Sequence, residues 1–189
     1  FDCDNISDED LKRFERIVVV ACGTAMYSGY VGQYLIERLA RLPVTVEIAS
    51  EFRYKNPILN KDTDLMVIVS QSGETADTLA ALRLAKKQGV FVLGIVNVVG
   101  SSIAREADAV IYTWAGPEIA AASTKAYTVQ ISVMYLLAIK FAMLRGHADE
   151  AFAREYTKNL LSVESHMADI LKDGQRFQYF ASKFQNAHD

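Results

Sequence analysis

Five short apolar runs rich in β-branched residues alternate with helix-like segments, and this order constrains the fold more than any other feature of the chain. The runs are RIVVVACG (16–23), VTVEIAS (44–50), DLMVIVS (64–70), VFVLGIVN (90–97) and DAVIYT (108–113). Strands that alternate with helices are typical of right-handed βαβ units. We therefore predict an α/β protein with a doubly wound, five-stranded parallel sheet.

The third run carries the strongest prediction of a central strand. Residues 64–70 show no polar alternation, which indicates burial on both faces of the sheet. The helical pattern that follows places Leu79, Leu82 and Ala85 on one face and meets a C-capping glycine at Gly89.

The last part of the chain has a different pattern. Apolar residues recur at helical spacing over 152–171, and a second short helix is predicted over 177–184, with no further strand. We predict a linker or short helix over residues 1–14, the sheet domain over 15–145 and a helical tail over 146–189.

Composition excludes several classes of function. A net charge of −3 gives no electrostatic footprint for nucleic acid. The two cysteines, Cys3 and Cys22, lie far apart in different contexts, which favours neither a disulfide framework nor a metal site. The chain begins without the features of a signal peptide. We expect a cytoplasmic protein with no metal, cofactor or nucleic-acid partner.

One apolar segment, residues 126–144, approaches the length of a membrane span. Gln130 and Lys140 lie within it, and it follows a run of strands and helices. We therefore predict a buried helix or an interface helix rather than a membrane segment.

The corner after the third strand, SQSGET, concentrates hydroxyl and amide groups where a helix begins. In open α/β sheets, ligands bind beyond the carboxyl ends of the strands, and free N–H groups at helix N-termini attract anions. The sequence predicts that this corner binds a phosphate through Ser70, Gln71, Ser72 and Thr75, with Gly73 permitting close approach. Simple helix capping by Ser72 or Thr75 is the alternative.

Neither G-x-x-x-x-G-K-[ST] nor G-x-G-x-x-G occurs in the chain. Their absence disfavours a nucleoside triphosphate or a dinucleotide and favours one phosphate on a small molecule. Two further loops are expected at the same edge. Cys22, Gly23 and Thr24 follow the first strand, and Ala121 and Ser123 follow the fifth. Cys22 could instead be a small buried hydrophobe, and Ser123 an N-cap.

Four segments, ACGTAMYSG, VEIASEFRY, SQSGETADTLAALRLAK and GPEIAAASTKAYTVQ, resemble the first SIS (sugar isomerase) domain of the glutamine–fructose-6-phosphate aminotransferase family. The resemblance covers about residues 17–144 and implies a flavodoxin-like fold. The family makes glucosamine 6-phosphate and glutamate from fructose 6-phosphate and glutamine, without a metal and as a dimer. The resemblance implies that the phosphate is held by Ser70, Gln71, Ser72 and Thr75, and that the sugar is lined by Cys22, Gly23, Thr24, Ala121 and Ser123.

The same resemblance implies that a glutaminase domain and a second SIS domain, which carries the catalytic residues, lie outside this sequence. Two other functions share the SIS architecture. One is a fructosamine-phosphate deglycase or stand-alone sugar-phosphate isomerase, and the other is a non-catalytic sugar-phosphate sensor.

Aldose–ketose isomerisation needs a base that moves a proton between C1 and C2. The histidines at 147, 166 and 188 all lie in the tail. Glu74 is near the corner, but a helix N-terminus should lower its pKa and make it a weak base. Glu118 has no supporting feature. We therefore assign no catalytic residue and predict that the chain binds sugar phosphate but turns it over poorly or not at all.

Overall fold

The computed structural model describes residues 6–120 and 123–187. This part of the chain divides into two compact units, with the boundary in the sequence between Glu150 and Ala151. The first unit contains the sheet and the second contains two helices. Each unit is considered separately below.

The first unit is built on five parallel strands. They are β1 (Arg16–Ala21), β2 (Val44–Ile48), β3 (Asp64–Ser70), β4 (Phe91–Val96) and β5 (Ala109–Tyr112). Their spatial order is β2-β1-β3-β4-β5, and every neighbouring pair is parallel. This is the flavodoxin-like order, in which the direction of winding reverses between β1 and β3. The predicted doubly wound α/β fold is confirmed.

Six helices connect or flank these strands. They are α1 (Asp8–Lys12), α2 (Thr24–Ala40), α3 (Ala49–Phe52), α4 (Ala76–Lys87), α5 (Ser102–Glu106) and α6 (Thr124–Leu144). The glycine predicted as the C-cap of α4, Gly89, has φ +77° and lies one residue beyond the C-cap position, which Gln88 occupies. Of these helices, α3 and α5 were not recognised in the sequence because each is only about one turn long.

The second predicted strand is two residues too long. It ends at Ile48 rather than at Ser50, because α3 begins at Ala49. A helical turn brings residues three apart to the same side. Ala49 and Phe52 both enter the core in this way and are buried. The gain from burying the Phe52 ring explains why the chain leaves the sheet early.

The core consists of one apolar layer on each face of the sheet. All seven residues of β3 are buried, as the unbroken apolar run predicts. Alternate residues of β1 point to opposite layers, with Val19 in the layer that also contains α2 and α6, and Val20 in the layer that contains α4.

The long apolar helix α6 is a core helix of the first unit. It packs against α2 so closely that a Cβ added to Gly32 would lie 2.6 Å from the Met134 sulfur. Its buried side includes Met134, Leu137 and Phe141. The segment is also long and apolar enough to cross a membrane, a property that core helices share. The prediction of a buried helix is confirmed.

The second unit contains α7 (Glu150–Leu171), whose first residue closes the first unit, and α8 (Gly174–Phe184). Asp173 caps α8 by accepting a hydrogen bond from the Arg176 N–H at 3.2 Å. Both helices and the break between them agree with the predicted tail. No residue within these two described helices is buried. The predicted domain limits at residues 15 and 145 remain predictions.

Candidate functional site

A cavity of about 250 Å³ opens at the carboxyl ends of β1 and β3, where the winding of the sheet reverses. This volume is slightly below the usual range for small-molecule sites. The cavity is lined by Cys22, Gly23, Thr24, Ala25, Val69, Ser70, Gln71, Ser72, Thr75, Thr78, Ser123 and Gln130. Eight of the nine residues predicted from the sequence therefore share one cavity, and Ala121 lies outside the described residues.

Local hydrogen bonds hold the loop after β3 in shape. The Ser70 hydroxyl accepts from the Gly73 N–H at 3.1 Å and is hydrogen-bonded to the Thr75 hydroxyl at 3.3 Å. The Ser72 hydroxyl accepts from the Glu74 N–H at 3.2 Å. These contacts keep the three hydroxyl groups close together at the cavity wall.

Neither hydroxyl proposed as a helix cap performs that role for α4. Thr75 occupies the N-cap position, but its side chain makes no capping hydrogen bond. The partner of Ser72, Glu74, precedes the helix. The first backbone hydrogen bond of the helix runs from the Leu79 N–H to the Thr75 carbonyl at 3.0 Å. The first-turn N–H groups of α4 are therefore uncapped, which is the arrangement that an anion site requires.

A second helix, α2, begins at the same cavity. Its N-cap is Gly23, at φ +58°, and no side chain caps it. The preceding residue, Cys22, is a half-buried free cysteine. Cys22 lines the cavity and also packs against the apolar layer around α4, so both interpretations of this residue apply.

The start of α6 completes the wall. Ser123 is the N-cap residue, as one interpretation predicts, but it is left-handed at φ +53° and its side chain makes no capping hydrogen bond. Glu118 supplies the cap instead. Its carboxylate accepts from the Ala126 N–H at 3.1 Å and the Ala120 N–H at 3.3 Å. Three helices thus direct their N-termini at one cavity. The Glu118 side chain is not part of the described lining and instead accepts hydrogen bonds from the backbone at the start of α6.

The loop between β4 and α5 supports the loop after β3. The Asn97 N–H donates to the Gln71 carbonyl at 3.1 Å, and the Ile103 N–H donates to the Gly73 carbonyl at 3.0 Å. The Ser102 N–H donates to the Glu74 carboxylate at 2.7 Å. These three bonds join the predicted phosphate loop to the segment that runs from Asn97 into the first turn of α5.

Hydrogen bonds from Ser102, through its side chain and its backbone, lower the pKa of the Glu74 carboxyl. The predicted direction is confirmed, but the first turn of α5 supplies the donor rather than the helix that Glu74 precedes. A carboxyl group with a lowered pKa is a weak general base.

Within the described lining, the cavity has no carboxylate, imidazole, ammonium or guanidinium side chain. The described part of the chain also contains no cluster of three or more His, Cys, Asp or Glu that could hold a metal. His147 follows the far end of α6, about 30 Å along the helix from Ser123. The described lining offers hydroxyl, thiol and amide groups that can hydrogen-bond to a ligand, and it contains no carboxylate or imidazole.

Sequence reasoning missed two polar residues of the lining, Thr78 and Gln130. The Thr78 hydroxyl donates to the Thr75 carbonyl at 2.8 Å. Gln130 is only 2% exposed, and its Oε1 has no hydrogen-bond partner among the described residues. The sequence does contain a signal for Gln130, because it is an amide inside an apolar helix and a buried amide needs a polar neighbour.

Residues 10–140 match the SIS domain family. The chain is 55% identical over 178 residues to a glutamine–fructose-6-phosphate aminotransferase (isomerizing) of Clostridium tetani, and the match covers 94% of this chain and 29% of that protein. A protein of the same name from Caldanaerobacter subterraneus is 51% identical over 98% of this chain and 30% of its own length.

Among solved structures, the C-terminal domain of glucosamine-fructose-6-phosphate aminotransferase from Francisella tularensis superposes with a TM-score of 0.91 at 37% identity. The superposition covers 97% of this chain and 52% of that one. The chain therefore spans under a third of the length of these two full-length relatives and about half of the solved domain.

Proposed function

This chain belongs to the SIS domain family, and we propose that it is the sugar-phosphate-binding first half of the isomerase region of a glutamine–fructose-6-phosphate aminotransferase. Relatives with that name at 51% and 55% identity support this function over a deglycase or a sensor. A glutaminase domain, a second SIS domain and a second subunit would be its partners in the cytoplasm, without nucleic acid.

The observation that carries the proposal is the convergence of uncapped helix N-termini on one polar cavity. At the α4 side, Ser70, Ser72 and Thr75 provide hydroxyl groups next to free first-turn N–H groups. A phosphate monoester carries acceptor oxygens and negative charge, and both are stabilised there. Gln71 lines the same wall. We assign the phosphate of fructose 6-phosphate to this side.

The sugar would then extend toward the starts of α2 and α6. Cys22, Gly23 and Thr24 line one wall, and Ser123 lines the other, with Ala121 assigned by resemblance alone. The uncapped N–H groups of α2 and the hydroxyl groups of both walls suit a polyhydroxylated ligand because together they can donate and accept hydrogen bonds.

The chemistry of isomerisation requires groups that this cavity lacks in its described lining. A base must carry a proton between C1 and C2 of the sugar, and an acid must assist ring opening. We propose that this chain binds and orients the substrate and that the second SIS domain supplies these groups. No metal or cofactor has a role in this assignment.

A calorimetric titration of the chain with fructose 6-phosphate tests the proposal. We expect binding that requires the phosphate, so that fructose does not bind. Ser72→Ala should weaken binding by about 10- to 100-fold, because a hydrogen bond to a charged group contributes roughly 1.5–3 kcal/mol. Ser132→Ala is the matched control, since the Ser132 hydroxyl donates to the Thr128 carbonyl along α6 and lies outside the cavity.

Equal binding of fructose and fructose 6-phosphate, or no binding of either, would contradict the proposal. Equal weakening by Ser72→Ala and Ser132→Ala would place the phosphate elsewhere.

A further inference from the structure

Gln130 is a buried amide that the fold itself does not explain. It lies on α6 among apolar residues, and its Oε1 has no hydrogen-bond partner in the described part of the chain. Burying an amide oxygen without a donor is unfavourable, so most such groups in proteins are partnered by protein, water or ligand. Gln130 borders the cavity, where a ligand can provide that partner.

Two buried hydroxyl groups, Thr78 at the same cavity and Ser28 on the packed helix α2, do not serve as donors to it. The Thr78 hydroxyl donates to the Thr75 carbonyl at 2.8 Å, and the Ser28 hydroxyl of α2 donates to the Ala25 carbonyl at 2.7 Å. A hydroxyl has a single proton, so these bonds use the donor of each residue. The donor for Gln130 must come from elsewhere.

We propose that Gln130 is a ligand-orienting residue whose side-chain oxygen accepts a hydrogen bond from a hydroxyl group of the bound sugar phosphate. This inference rests on the proposed function. A phosphate dianion offers only acceptors and cannot satisfy an amide oxygen, whereas a sugar hydroxyl can donate. The terminal torsion of glutamine has a broad distribution, which lets the amide turn toward the cavity.

The proposal divides recognition between two sides of the cavity. The loop of Ser70, Ser72 and Thr75 binds the phosphate, and Gln130 hydrogen-bonds to the hydroxyl-bearing part of the same molecule. Loss of the amide should therefore reduce affinity for the sugar phosphate without changing affinity for phosphate alone. An unpartnered amide also does not stabilise the unliganded protein, so its removal should not lower the unfolding temperature.

The test compares Gln130→Met, which has a similar length and no amide, with the wild-type chain. We expect Gln130→Met to weaken fructose 6-phosphate binding about tenfold, as for one lost hydrogen bond, and to change inorganic phosphate binding by less than about twofold. The midpoint of thermal unfolding without ligand should be equal or higher. Gln130→Asn keeps the amide on a side chain one methylene shorter, which moves it away from the cavity, so this variant should also bind sugar phosphate more weakly.

Leu137→Met is the matched control because it places a methionine at a buried position of the same helix outside the cavity. It should change neither affinity. Unchanged fructose 6-phosphate binding by Gln130→Met, an equal loss of phosphate binding, or a lower unfolding midpoint would overturn the inference.

The outcome separates the two proposals. If the wild-type chain binds fructose 6-phosphate and both Gln130 variants bind it equally well, only the role of Gln130 is wrong. If the wild-type chain does not bind fructose 6-phosphate, the proposed function and this inference are both contradicted.

Discussion

At Gly73 the backbone has φ +66°, and an added Cβ would lie 2.1 Å from the Ser101 hydroxyl oxygen and 2.5 Å from the Ser101 Cβ. From the sequence alone, the role expected of Gly73 is to let a phosphate approach the backbone closely. The structure shows a second need for glycine at this position, because the loop after β3 lies in close contact with Ser101, the residue that precedes α5. Ser101 is buried and belongs to another turn, so sequence proximity could not reveal the contact.

We predict that Gly73→Ala lowers the free energy of unfolding by about 1–3 kcal/mol, because it combines left-handed strain with a steric clash. Sugar phosphate binding should also be lost as the loop shifts. Urea unfolding and calorimetry measure the two effects. Gly100→Ala is the matched control, with φ +71° and no atom within 4 Å of the added Cβ. Equal losses in the two variants would show that contact with Ser101 is unimportant.

At the scale of elements, the loop after β3 is fixed by the start of a neighbouring helix. The Glu74 carboxylate accepts from the Ser102 N–H at the first turn of α5, and this lowers the pKa of Glu74. The ionised form therefore stabilises the folded state relative to the unfolded state. This stabilisation is fully present above the usual glutamate pKa of about 4.3 and is lost as pH falls through the lower folded-state pKa.

We predict that Glu74→Gln is less stable than the wild-type chain at neutral pH, because a charge-assisted hydrogen bond becomes a neutral one. The difference should begin to close as the pH falls below the usual glutamate pKa of about 4.3, and it should vanish below the lower pKa of Glu74 in the folded state. Denaturant unfolding over a pH series measures this. Glu51→Gln is the control, since the exposed Glu51 side chain makes no hydrogen bond or ion pair with any described residue. A difference that persists in acid would contradict the assignment.

The strands were easier to predict than the short helices α3 and α5. A buried parallel strand such as β3 carries its own signal, an unbroken apolar run between turn residues. In contrast, α3 and α5 are four and five residues long, too short for a helical period to appear. Both form because tertiary contacts stabilise them, through the burial of Phe52 in α3 and of Ile103 in α5.

At the scale of the whole molecule, the apolar core of the first unit contains no described residue beyond Ala148. The cavity is lined entirely by residues up to Gln130. The two helices of the second unit expose large apolar side chains, including Leu161, Leu171 and Phe184. The first unit therefore contains both apolar layers and every described residue that lines the cavity.

We predict that a chain ending at Glu150 folds cooperatively and binds fructose 6-phosphate with the same affinity as the 189-residue chain. The physical reason is that neither the core nor the cavity loses a residue. Thermal unfolding and calorimetry on the two chains provide the comparison. Broad, non-cooperative unfolding of the shorter chain would show that the helices α7 and α8 contribute to the fold of the first unit.

The sequence by itself determined the sheet, the two helix starts at its edge and most of the cavity lining. It could do so because strand burial and loop chemistry are local patterns, and because parallel strands bring their carboxyl ends to one edge. Only the tertiary structure decided that the Thr75 and Ser123 side chains cap no helix, where Glu74 finds its donor and that Gln130 borders the cavity. These depend on contacts between segments far apart in the chain, such as Glu74 with Ser102. Local periodicity contains no information about such contacts, because they are set by how the helices pack across the sheet.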